Sequence, residues 1–140
     1  MHKEIQKLLF KKQESKNNGY EQGNLHLRNQ GLQQKDIIDL IHYIDQQNIG
    51  NNIQSISFSY NPLMGDTGVI HLLKKLPLSI TEIGLVNCGI SDKGGVQILN
   101  WMIKSNNLRL ICMERNDFSD KLKKEFNVFK KEHPNVIVVF

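Results

Sequence analysis

One spacing of apolar residues, closed by an amide or a thiol, recurs along this chain. It runs Gln22-x-x-Leu25-x-Leu27-x-x-Gln30-x-Leu32, then Ile53-x-x-Ile56-x-Phe58-x-x-Asn61-x-Leu63. It returns as Ile80-x-x-Ile83-x-Leu85-x-x-Cys88-x-Ile90 and Leu108-x-x-Ile111-x-Met113-x-x-Asn116-x-Phe118, and a fifth start stands at Val136-x-x-Val139. The starts lie 31, 27, 28 and 28 residues apart. A period of this length belongs to stacked strand-plus-helix units rather than to a closed globule, because one such unit cannot bury its apolar face alone.

The spacing carries its own physics. Leu25 and Leu27, like Ile56 and Phe58, alternate with polar neighbours at period two, which gives a short strand one apolar and one solvated face. The amide that follows sits where the chain turns away, so Asn61 and Asn116 are expected to bond loop backbone groups that would otherwise be buried unpaired. Helical stripes come next: Ile37, Ile41 and Ile44; Val69, Leu72 and Leu76; Val96, Leu99 and Ile103; Leu122, Phe126 and Phe129. Asp36, Asp66, Asp92 and Asp120 stand at the expected helix starts, where a carboxylate accepts from free backbone N–H groups. The second unit carries one extra residue between Pro62 and Gly65.

The pattern resembles the leucine-rich repeat family, and its long period resembles the ribonuclease-inhibitor-like class, in which each strand is followed by a full helix. The resemblance covers roughly residues 22 to 140. It implies an α/β solenoid, a horseshoe arc of about four strand-helix units with a parallel concave sheet. The units start near residues 22, 53, 80 and 108, with a final strand at 136–140. Residues 1–21 are expected to supply a capping helix and its loop, since Ile5, Leu8 and Leu9 fall at helical spacing between Glu4 and Gln13.

If the apolar strand residues turn inward, the alternate ones line the concave face. One row reads Asn24, Ser55, Glu82, Leu110, Val138; the next reads His26, Ser57, Gly84, Cys112, Phe140; a third reads Arg28, Ser59, Val86, Glu114. Asn29, Tyr60, Asn87 and Arg115 form the rim. The candidate partner-binding residues are therefore His26, Arg28, Ser57, Ser59, Tyr60, Glu82, Val86, Leu110, Cys112, Glu114, Arg115, Val138 and Phe140. A sheet face left in water but carrying Leu, Val, Cys and Phe favours a protein partner. Tyr and Arg are also residue types enriched at binding hot spots.

No catalytic or metal-ligating constellation emerges. A Cys-His pair would need His26 near Cys112, but they lie three strands apart, roughly 14 Å at about 4.8 Å per strand. Five histidines, at positions 2, 26, 42, 71 and 133, show no paired spacing among themselves or with the two cysteines. Cys88 points inward and Cys112 outward, so a disulfide between them is not expected. The net charge of +4 is concentrated at the ends: residues 1–16 hold five Lys against two Glu, and residues 120–132 hold five Lys against three acids. Aromatic interleaving for base stacking is lacking, which weighs against nucleic acid. No apolar run reaches membrane-spanning length and residues 1–13 do not resemble a signal peptide, so a cytoplasmic protein is expected.

The expected function is a noncatalytic protein-interaction module without a cofactor, holding one protein partner, such as an enzyme that it inhibits or adapts. The composition resembles the small leucine-rich repeat effectors that intracellular bacterial pathogens place in a host cytoplasm. Alternatives are a small subunit or assembly factor, as in the more distantly similar coupling-factor-B-like proteins, and a basic nucleic-acid-binding protein. Self-association through the C-terminal edge is a further expectation, because the repeat stops on an apolar strand.

Overall fold

The computed structural model describes residues 23–46, 53–77 and 79–140. The capping helix expected within residues 1–21 lies outside them. Five three-residue strands and four helices alternate along the described chain: β1 (Asn24–His26), α1 (Gln34–Gln46), β2 (Ser55–Ser57), α2 (Gly65–Lys75), β3 (Glu82–Gly84), α3 (Asp92–Lys104), β4 (Leu110–Cys112), α4 (Asp120–Glu132) and β5 (Ile137–Val139). The strands form one parallel sheet in the order β1-β2-β3-β4-β5, and neighbouring helices pack on one another in the same order. The architecture is α/β and solenoid-like. Units stack in chain order, and one apolar core runs between sheet and helices.

The period-two alternation decides which way each strand faces. Leu25, Ile56, Ile83 and Ile111 pair in one register line and are all buried. That line continues into Val138, not Val139. The fifth repeat therefore falls 27 residues after the fourth, and polar Asn135 takes the place that Ile53, Ile80 and Leu108 hold in earlier units. Counting from Val136 moves the expected register by one residue, which exchanges the two faces of a strand. Val138 is 2% exposed and belongs to the core, while Ile137 and Val139 face outward at 61% and 38%.

Two other expectations shift for related reasons. Leu63 is exposed and Met64 fills its core position, because the extra residue lengthens that turn by one. In α3 the buried residues are Gly94, Gly95, Ile98 and Met102, whereas Val96 and Ile103 are exposed. A Cβ on Gly94 would stand 2.6 Å from the Asp66 carboxylate, and one on Gly95 would stand 2.5 Å from Leu122. The glycines thus form the inner stripe by letting α3 approach its neighbours closely.

The aspartates reach further than their own helices. Asp66, in the first turn of α2, accepts hydrogen bonds from the backbone N–H groups of Ser91 (2.8 Å) and Gly94 (3.0 Å) and from the Ser91 hydroxyl, so it caps α3 of the next unit. Asp92 likewise accepts from the Ser119 N–H at 2.7 Å, before α4. Hydrogen bonds from the Ser119 side chain and backbone hold the Asp92 carboxyl below the usual carboxylate range. Each cap thereby also ties one repeat to the next.

Candidate functional site: the open face of the sheet

The strand residues that point away from the helices line a groove of about 420 Å³ on the open face. Ten of the expected binding residues meet there: His26, Arg28, Ser57, Ser59, Tyr60, Glu82, Val86, Leu110, Cys112 and Glu114. Ser55, Ile56, Ile83 and Gly84 complete the lining. Arg115 is exposed but outside the groove. Val138 is core, and Phe140 is half-buried with its ring 5.3 Å from that of Phe126 in α4. The last two corrections follow from the single-residue shift of β5.

Local backbone geometry sets the rim. Asn29, Tyr60, Asn87 and Arg115 all have positive φ, between 51° and 65°, at the point where the chain leaves each strand. A left-handed residue reverses the chain sharply and is uncommon for bulky side chains such as Tyr60 and Arg115. Tyr60 N–H donates to the Val86 carbonyl at 2.7 Å and Asn87 N–H to the Glu114 carbonyl at 2.9 Å. Held there, the Tyr60 ring lies 5.2 Å from the Arg28 guanidinium, which stacks over it as a cation–π pair.

The floor is low and polar. Ser55, Ser57 and Ser59 are buried although they face away from the helices. Ser55 Oγ is 2.9 Å from His26 Nε2, and Ser59 Oγ accepts from the Val86 N–H at 3.1 Å. A Cβ on Gly84 would lie 2.6 Å from Ser57 Oγ and 3.0 Å from Ser59 Oγ, so this position on β3 has no room for a side chain. Charge is divided across the groove: Arg28 follows β1, while Glu82 lies on β3 and Glu114 follows β4. His26 and Cys112 are on strands separated by two others. Among the described residues, no group of three or more His, Cys, Asp or Glu is placed to hold a metal ion, and no helix is long and apolar enough to cross a membrane.

Both cysteines are free thiols in different settings. Burial pushes Cys88 up to about 11, and its Sγ donates to the Phe58 carbonyl at 3.2 Å. Cys112 is also raised, first by burial, then by the negative charges of Glu114 and Glu82. Because the thiolate is the nucleophile, maleimide labelling of the folded protein at pH 8 is expected to modify Cys112 slowly and Cys88 not at all. Glu114→Gln removes a like charge, lowers the Cys112 pKa and speeds its labelling several-fold, as quantified by intact mass against time. Equal rates in the two proteins would contradict this electrostatic assignment.

Serine burial at 55, 57 and 59 was beyond the reach of sequence reasoning, since it depends on neighbouring strands. The signal available was the Ser-x-Ser-x-Ser run facing Gly84 one repeat later, which marks a place where side chains must be small. No family model matches the sequence, and no curated protein matches it.

Proposed function

We propose that the chain is a leucine-rich repeat module of the ribonuclease-inhibitor-like class that acts by binding another protein on the open, concave face of its sheet. The observation that carries this reading is the composition of that face. A groove of about 420 Å³ with a polar floor, a fixed Arg28–Tyr60 pair and two carboxylates adjoins Leu110, and exposed Ile137 and Val139 follow on the next strand. Mixed polar and apolar surface with aromatic and Arg anchors is the composition of protein interfaces. Binding rather than catalysis is the proposed activity, because the groove is open and His26 and Cys112 stand too far apart to act together. Inhibition or adaptation of an enzyme, in the manner of a small bacterial effector, is the form of binding proposed.

The test is capture of partners with the full chain, followed by measured affinity for the recovered protein. Arg28→Glu, Leu110→Asn and Ile137→Asn are each expected to weaken that affinity about tenfold or more, roughly 1.4 kcal/mol. Their melting temperatures should stay close to the parent's. Lys75→Glu on the helical face serves as the control and should change nothing. Undiminished affinity in all three open-face variants would overturn the proposal.

A further inference from the structure

We infer that the partner bound on this face presents a cationic side chain, a lysine ammonium or an arginine guanidinium, to Glu114 and Glu82 within the groove. This rests on the reading of the open face as a protein-binding surface and specifies the chemistry of what binds there.

Glu114 supplies the first observation. Its Oε1 is buried and has no hydrogen-bond partner among the described residues. A desolvated carboxylate oxygen without a donor is costly, and the cost is recovered only when an N–H or O–H group reaches it. The donor must arrive through the groove, because Glu114 lines it together with Glu82 and Cys112.

The chain's nearby cations do not meet that need. Arg28 is held against Tyr60 beyond β1, and β1 lies three strands from β4, roughly 14 Å at about 4.8 Å per strand. Arg115 follows Glu114 directly, but it sits on the exposed left-handed turn outside the groove.

The groove, about 420 Å³, has room for a long side chain. Gly84 lies on β3 opposite Cys112 of β4, and the Ser57 and Ser59 hydroxyls fill the place its Cβ would take, so the floor beside the carboxylates is built from small groups. The Cys112 thiol is raised first by its burial and then by Glu114 and Glu82, which places both carboxylates close to this spot. A divalent metal is a poorer fit than an organic cation, because among the described residues no cluster of three ligating groups exists. Leu110 beside the carboxylates suits the aliphatic stem that carries a lysine or arginine head. Arg28 at the far wall gives the groove a direction, so the basic end of the bound segment lies toward β4.

The experiment is a titration of isotope-labelled full chain with N-acetylarginine amide, followed by backbone NMR, with N-acetylnorleucine amide as the uncharged match. Saturable shifts are expected at Gly84, Val86, Cys112 and Glu114, and binding should be at least fivefold weaker for the norleucine probe and for Glu114→Gln. The Glu114→Gln protein should melt at the same or a higher temperature, which separates loss of the site from loss of the fold. Equal binding of both probes, unchanged arginine binding in Glu114→Gln, or no saturable shift at tens of millimolar probe would each overturn the cationic anchor. None of those results would touch the broader binding proposal, which stands or falls on Arg28→Glu, Leu110→Asn and Ile137→Asn.

Discussion

Replacing Asn61 with alanine is expected to destabilise the protein by about 3 kcal/mol or more, since each buried group left without its partner costs about 1 to 3 kcal/mol. The Asn61 side chain is fully buried and makes four bonds. Its Oδ1 accepts from the backbone N–H groups of Gln30 and Leu32, both at 3.0 Å, and its Nδ2 donates to the carbonyls of Leu27 (2.9 Å) and Phe58 (2.6 Å). Three of those four partners lie in the preceding unit, so alanine would open the joint between repeats as well as the turn. Asn116 repeats the arrangement one joint later, accepting from Cys88 and Ile90 N–H groups and donating to Leu85 and Met113.

Cys88 stands at the same place in the intervening unit and explains what a thiol can and cannot replace. Its Sγ donates one bond to Phe58 but offers only a weak acceptor. That suffices because the longer second turn finds backbone acceptors instead: Met64 N–H donates to the Asn61 carbonyl of the same turn at 3.0 Å, and Gly65 N–H donates to the Cys88 carbonyl of the next unit at 2.9 Å. Asn61→Cys should therefore lose less than Asn61→Ala but still leave the Gln30 and Leu32 donors unmatched. Urea unfolding with an unchanged slope measures the difference. A cost below about 1 kcal/mol for Asn61→Ala would mean that these backbone groups find other partners.

The repeat spacing was sufficient to place β1 to β4, their facing and the structural amides, because strand alternation and turn chemistry act over a few neighbouring residues. It also brought ten candidate binding residues to one groove, since each row is a fixed position of the repeat. What it could not supply depends on contacts between units. Asp66 looks in sequence like a cap for α2, yet its partners Ser91 and Gly94 lie one repeat ahead. An apolar count along α3 selects Val96 and Ile103, because it gives no weight to Gly94 and Gly95, whose value is the absence of a side chain. The unpartnered oxygen of Glu114 is invisible for the same reason: burial of one atom is set by neighbouring strands.

Replacement of Phe126 by alanine is expected to cost about 3 to 5 kcal/mol, the range for emptying a fully enclosed aromatic site. Phe126 is 0% exposed and meets Phe118 edge-on, with centroids 5.3 Å apart at 75°. It also meets Phe140 at the same separation and 51°. The second contact decides the register at the end of the sheet. With Val138 inward, Phe140 turns onto α4, between Phe126 and the Lys130 ammonium 5.5 Å from its ring centroid. Phe140→Ser should therefore cost about 1 to 3 kcal/mol, because it exposes a partly buried aromatic layer. Ile137→Ser, at a residue 61% exposed, should stay within about 0.5 kcal/mol of the parent. A strict 28-residue repeat would instead put Phe140 free on the open face, where Cys112 stands one unit earlier, and Ile137 at the exposed place of Arg109, so neither change would be costly. Phe126→Ala combined with Phe140→Ser should cost less than the sum of the two single changes, since both empty the same layer. Thermal and urea unfolding of these four proteins, read against the parent, discriminate the two registers, and a Phe140→Ser as cheap as Ile137→Ser would overturn the one described.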